Sequence, residues 1–168
     1  MKKDKISLEA YFWSAQETQN PFKLIDDFFG YSNLDESKRL LNEIVLHTYK
    51  KEIYKKDYPA QVFDFYKSMR SFLRACYCLQ SKSKKWKIKN TPNEWFIIGQ
   101  ASLTSEEYQN PFTVFHKAFS EKTLEEFEFF LSEVVHFSLS PLITEYVYDL
   151  TTPYIHLIKM LDASQIIN

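Results

Sequence analysis

Apolar side chains recur every three or four residues along most of this chain. Leu34, Leu41, Ile44, Val45 and Thr48 follow one stripe of 3.6-residue period. Val62, Phe65, Tyr66, Met69, Phe72, Leu73, Cys76 and Leu79 follow a second. Leu124, Phe127, Leu131, Val134 and Ser138 make a third, and Tyr154, Leu157, Ile158 and Leu161 a fourth. Each stripe predicts an amphipathic helix packed on one side. Shorter aromatic helices are expected over Leu8 to Gln16 and Pro92 to Ala101. Start signals agree with these. Asn20-Pro21 and Asn110-Pro111 each offer an N-cap followed by a proline at the first helical position, where its missing N–H costs nothing. Asn33 precedes Glu36, and Thr123 precedes Glu126, at capping-box spacing; Thr91-Pro92-Asn93-Glu94 repeats that pattern. Gly30 reads as a left-handed residue closing the helix that begins at Pro21.

The stripes are related. Gln19-Asn20-Pro21-Phe22 recurs as Gln109-Asn110-Pro111-Phe112, an offset of 109 − 19 = 90 residues. That register then holds without a gap, placing Leu34 on Leu124, Leu41 on Leu131, Ile44 on Val134 and Val45 on Val135. Outward positions differ: Arg39 falls on Phe129 and Leu46 on His136. A helical unit used twice, with its inner face kept and its outer face altered, explains both facts. The expected architecture is therefore all-α, about eight helices in two pseudo-symmetric four-helix repeats packed as a bundle. The first repeat spans 1–81, a basic linker 82–90 and the second repeat 91–168, with one shared core left open.

Composition narrows the classes. A chain of 168 residues with 45% apolar and 26% charged residues is long enough to bury about 70% of its unfolded surface. Only two glycines leave little material for hairpin turns or a phosphate-cradling loop. No stretch approaches the ~18 apolar residues of a membrane helix, so no membrane partner is expected. Cys76 and Cys78, two apart on a helix, point to different faces and cannot bridge each other. A reduced, cytoplasmic setting is the simplest expectation.

Charge is divided between the halves. Residues 1–90 carry 18 basic and 11 acidic side chains, giving +7, and residues 91–168 carry 3 and 11, giving −8. The sum is −1, the net charge of the whole chain. Two accounts follow: attraction between the halves, or association with an oppositely charged partner or a second copy.

Candidate chemistry is sparse. Glu133 and His136 have the Glu-x-x-His spacing of di-iron bundles, but the Leu131–Val134 stripe turns His136 outward and Leu46 replaces it in the other half. A metal-dependent bundle enzyme is therefore the third reading, with no catalytic residue, metal ligand or cofactor assigned. The Asn-Pro-Phe triplets resemble a peptide ligand of trafficking modules, but both open a helix, which favours a buried ring. Lys82, Lys84, Lys85, Trp86, Lys87 and Lys89 form a basic run around a stacking-competent ring, the second reading being a nucleic-acid-binding regulator. The leading expectation is a non-enzymatic interaction module, regulatory in kind, with a protein partner. Its candidate contacts are Phe129 and His136 on the altered outer face, together with the matched pair Glu43 and Glu133.

Overall fold

The computed structural model describes residues 6–14, 18–50, 52–85, 102–141 and 149–168. All regular structure among them is helical. The order is α1 (Tyr11–Ser14), α2 (Pro21–Tyr31), α3 (Leu34–His47), α4 (Pro59–Leu79), a 3₁₀ turn (Gln80–Lys85), α5 (Ser105–Gln109), α6 (Phe112–Glu121), α7 (Leu124–Ser138) and α8 (Thr151–Ile167). The expected helix over Pro92 to Ala101, Trp95 with it, lies outside the described residues. So do Trp86, Lys87 and Lys89 of the basic run, whereas Lys82 is exposed at the 3₁₀ turn, which packs on α6.

The corner between α2 and α3 shows how local chemistry builds this fold. Ser32 takes an extended conformation (φ −143°, ψ 125°) and its N–H donates to the Phe28 carbonyl at 2.9 Å, ending α2. Asn33 follows at once, and its side chain accepts from the Glu36 N–H at 2.8 Å, starting α3. The corner between α6 and α7 repeats this at the 90-residue offset. Lys122 is extended (φ −135°, ψ 140°), with its N–H to Ala118, and Thr123 caps α7 by accepting from the Glu126 N–H at 3.2 Å. Glu126 returns the bond to the Thr123 N–H at 2.7 Å, completing the capping box.

Several local expectations are corrected. Gly30 lies inside α2 and has no positive φ, because the extended Ser32 makes the corner. Asn110 does not cap α6: its N–H closes α5 onto Glu106, its carbonyl accepts from the Thr113 N–H at 3.0 Å, and Pro111 takes the cap position. Asn20 behaves as expected, its side chain accepting from the Phe22 N–H at 3.0 Å. Phe112 is buried but Phe22 is 41% exposed, its ring lying edge-on to Phe112 at 6.3 Å. The first helix begins at Tyr11 rather than Leu8, since Glu9 adopts φ 44° just before it; it is described over Tyr11–Ser14, and residues 15–17 of the expected span lie outside the described residues. Pro153 sits in the first turn of α8, where no helical bond is lost. The tail continues as helix to Ile167, with Ala163 and Ser164 fully buried.

Burial follows the stripes. Leu41, Ile44, Leu131 and Val134 have no exposed surface, while Arg39, Leu46, Phe129 and His136 face solvent. The long helix α4 packs on α2 and α7 and also touches α6, and α3 packs on α7 and α8. Buried side chains of both halves thereby join one apolar cluster. Polar groups cross between the halves as well. Arg74 grips Glu128 of the second half at 2.6 Å and Glu9 of its own half at 2.7 Å, and Arg70 reaches the same two carboxylates at 3.3 Å. The fully buried Asp162 of α8 is held by Lys38 of α3 and by the Ser102 hydroxyl. Part of the charge division is thus used inside the molecule.

Candidate functional site

The four candidate contact residues are not gathered into one place. Arg39, Glu43 and His47 are spaced four apart and share one face of α3. The chain leading to α4 covers that face. Tyr54 is 1% exposed, its ring edge-on to His47 at 4.9 Å and its hydroxyl on Asp57, which also holds Arg39 at 3.6 Å. Burial first, and Asp57 second, push the Tyr54 phenol up to about 12. Lys56 donates to Glu43 at 2.7 Å, and that bond chiefly holds the Glu43 carboxyl below its usual range. Glu43 is therefore engaged within its own half.

Phe129 and Glu133 occupy the matching positions of α7, but the surroundings differ. They line a groove of about 330 Å³ between α7 and the start of α8. Phe129, Phe130, Leu150 and Pro153 supply its apolar lining, and Phe129 is 55% exposed. Around them stand four carboxylates, Glu125, Glu126, Glu133 and Asp149, against one ammonium, Lys122. Two of the carboxylates serve helix starts. The Thr123 N–H keeps Glu126 low, and the Thr152 N–H, at 3.0 Å from Asp149, does the same there. Lys122 lies 3.6 Å from Asp149. Among the described residues Glu125 and Glu133 make no ion pair. His136 lies further along α7, exposed, with the Phe137 ring at 5.0 Å, and does not line the groove.

A second groove of about 220 Å³ lies between α6 and α8. Two contacts link groups across it. Glu121 meets His156 at 2.9 Å, and Glu107 meets Lys159 at 2.6 Å. Burial alone would raise the Glu107 carboxyl, but Lys159 and the Thr104 N–H outweigh it and leave it low. Sequence gave no reason to connect His156 with Glu121, since 35 residues separate them on different helices. No three of His, Cys, Asp and Glu converge as a metal cage among the described residues. No helix among them is long and apolar enough to cross a membrane. In the first half Lys38, Arg39, Lys56, Lys67, Arg70 and Arg74 each lie against a carboxylate, which leaves them poorly placed to hold phosphates.

No protein-family model, curated protein or solved structure matches this chain.

Proposed function

We propose that this chain is a non-enzymatic interaction module, built on a duplicated helical unit, which docks a protein partner in the groove between α7 and α8. One observation carries the reading: among the described residues, Tyr54, Lys56 and Asp57 cover the outer face of α3, while its register-matched counterpart on α7 borders a groove. The groove pairs an apolar lining with Glu125 and Glu133, which make no ion pair among the described residues, the composition of a surface that takes a cationic segment bearing an apolar anchor.

Site-specific photo-crosslinking tests the proposal. A photoreactive residue in place of Phe129 is expected to give discrete protein adducts that disappear when Glu133→Lys is added. The same residue in place of the exposed Ser120 of α6 is expected to give none. Absence of adducts at position 129, or identical adducts from both positions, would count against it.

A further inference from the structure

Two reciprocal clamps hold the halves against each other. Lys38 of α3 and Glu128 of α7 are matched at the 90-residue offset. Each reaches the last helix of the other half. Lys38 meets Asp162 of α8. Glu128 meets α4, with Arg74 Nε at 2.6 Å, Arg74 Nη2 at 3.4 Å and Arg70 Nε at 3.3 Å. The arrangement is shared but the signs are exchanged. Lys38, Arg70 and Arg74 belong to the first half, and Glu128 and Asp162 to the second. Water relieves these charges only in part. The Asp162 side chain has no exposed surface, Arg74 has 12% and Glu128 20%. Groups this shielded respond strongly to the sign of what faces them.

We infer that the two clamps are a matching device, by which each half accepts the opposite half and rejects its own kind. Two first halves set together in this arrangement would bring Lys38 against Arg70 and Arg74. Glu9, on the same side, offers one negative charge against those two guanidiniums. Two second halves would bring Glu128 against Asp162, with no clamp cation between them. Apolar packing alone distinguishes the copies poorly, because a unit used twice keeps one inner face in both: Leu41 matches Leu131, and Ile44 matches Val134. Charge supplies the discrimination, through repulsion in the wrong pairing as much as attraction in the right one. The division of the whole chain has the same sense, +7 over residues 1–90 and −8 over 91–168. The surface is the side of α3 and α4 that packs on α7 and α8. Its partner is the acidic half of this chain, whether its own or that of a second copy. The inference rests on the duplicated unit proposed above and is independent of the α7–α8 groove.

Charge changes in the intact chain test this. Glu128→Gln removes one anion and is expected to lower Tm by about 3 °C; Glu128→Lys sets like charges together and is expected to lower it about twice as far. A second variant carries Arg70→Glu and Arg74→Glu, with Glu9→Lys to keep their own-half contact opposite in sign. It is expected to be destabilised alone, since its carboxylates face Glu128. Combining it with Glu128→Lys in one chain is expected to recover at least half of the Glu128→Lys loss. Partner choice is read by refolding the Glu128→Lys chain together with the second variant. A 1:1 complex of twice the 20.1 kDa chain mass is expected from the mixture and from neither variant alone, because each first half then finds an opposite second half. Circular dichroism follows helix content; if a reversed chain folds only when combined or mixed, the inference is supported. Glu128→Lys no worse than Glu128→Gln, or a combined chain no more stable than Glu128→Lys, overturns it. So does complex formation that is the same alone and mixed. The crosslink at position 129 reads the docking proposal separately, so the failure of one is distinct from the failure of the other.

Discussion

Tyr54 shows most directly how one side chain connects stability to the covering of a helix face. Its phenol is buried, bonded to Asp57 and flanked by the Arg39 guanidinium, and its ring seals the end of α3. Because its folded value is raised from 10.0 to about 12, the neutral phenol is the form the fold prefers. That contribution is complete below the unfolded value of 10.0 and disappears as pH rises through about 12. Spectrophotometric titration is expected to show a late tyrosine step near pH 12 that vanishes in Tyr54→Phe. The same variant is expected to lose ~1 kcal/mol of stability at neutral pH in a denaturant titration, the usual worth of one hydrogen bond. Absence of any late step that Tyr54→Phe removes would mean that the α3 face is open to water. Glu133 makes the contrasting point: it matches Glu43 in register, but the α7–α8 connection, 139–150, holds no lysine or arginine to correspond to Lys56.

At the scale of helices, α3 and α7 carry the same inner face and different outer ones. Leu41→Ala and Leu131→Ala each remove a fully buried side chain, and each is expected to cost about 2 to 5 kcal/mol. Leu46→Ala and His136→Ala, at exposed outer positions, are expected to stay within about 0.5 kcal/mol of the parent. Chemical denaturation of the four variants reads this directly, and comparable losses at inner and outer positions would contradict it. This face assignment was legible in the sequence, because the 3.6-residue period alone fixes which side chains share a side. Helix ends were less so. Asn20 and Asn110 sit in identical Asn-Pro-Phe triplets, yet only Asn20 caps, because α5 runs straight into Asn110 and bonds its N–H. Gly30 suggested a left-handed corner that the extended Ser32 makes unnecessary.

At the scale of the whole molecule the halves are joined by a shared core and by ion pairs that no local pattern announces. Asp162 and Lys38 are 124 residues apart (162 − 38) on α8 and α3, and sequence spacing contains nothing about that meeting. Asp162→Ala is expected to cost about 2 to 3 kcal/mol, below the 3 to 5 of a fully buried pair, because the partly exposed Lys38 can turn to water. Lys56→Ala, which breaks an exposed pair, is expected to cost less than about 0.5 kcal/mol. Thermal or denaturant unfolding separates the two, and equal effects would remove Asp162 as a tie between the halves. The candidate site was half legible for the same reason. Periodicity placed Phe129 and Glu133 on one outer face of α7, but only the position of α8 turns that face into a groove, and only the run of chain after α3 shows Glu43 already taken. The most direct test of the account is a paired charge reversal at the matched positions, Glu43→Lys and Glu133→Lys, each introduced beside a photoreactive residue at position 129 and assayed for crosslinked protein adducts. The account predicts that Glu133→Lys removes the adducts, whereas Glu43→Lys leaves them intact. Equal effects of the two reversals on the adducts, or none from Glu133→Lys, would contradict it.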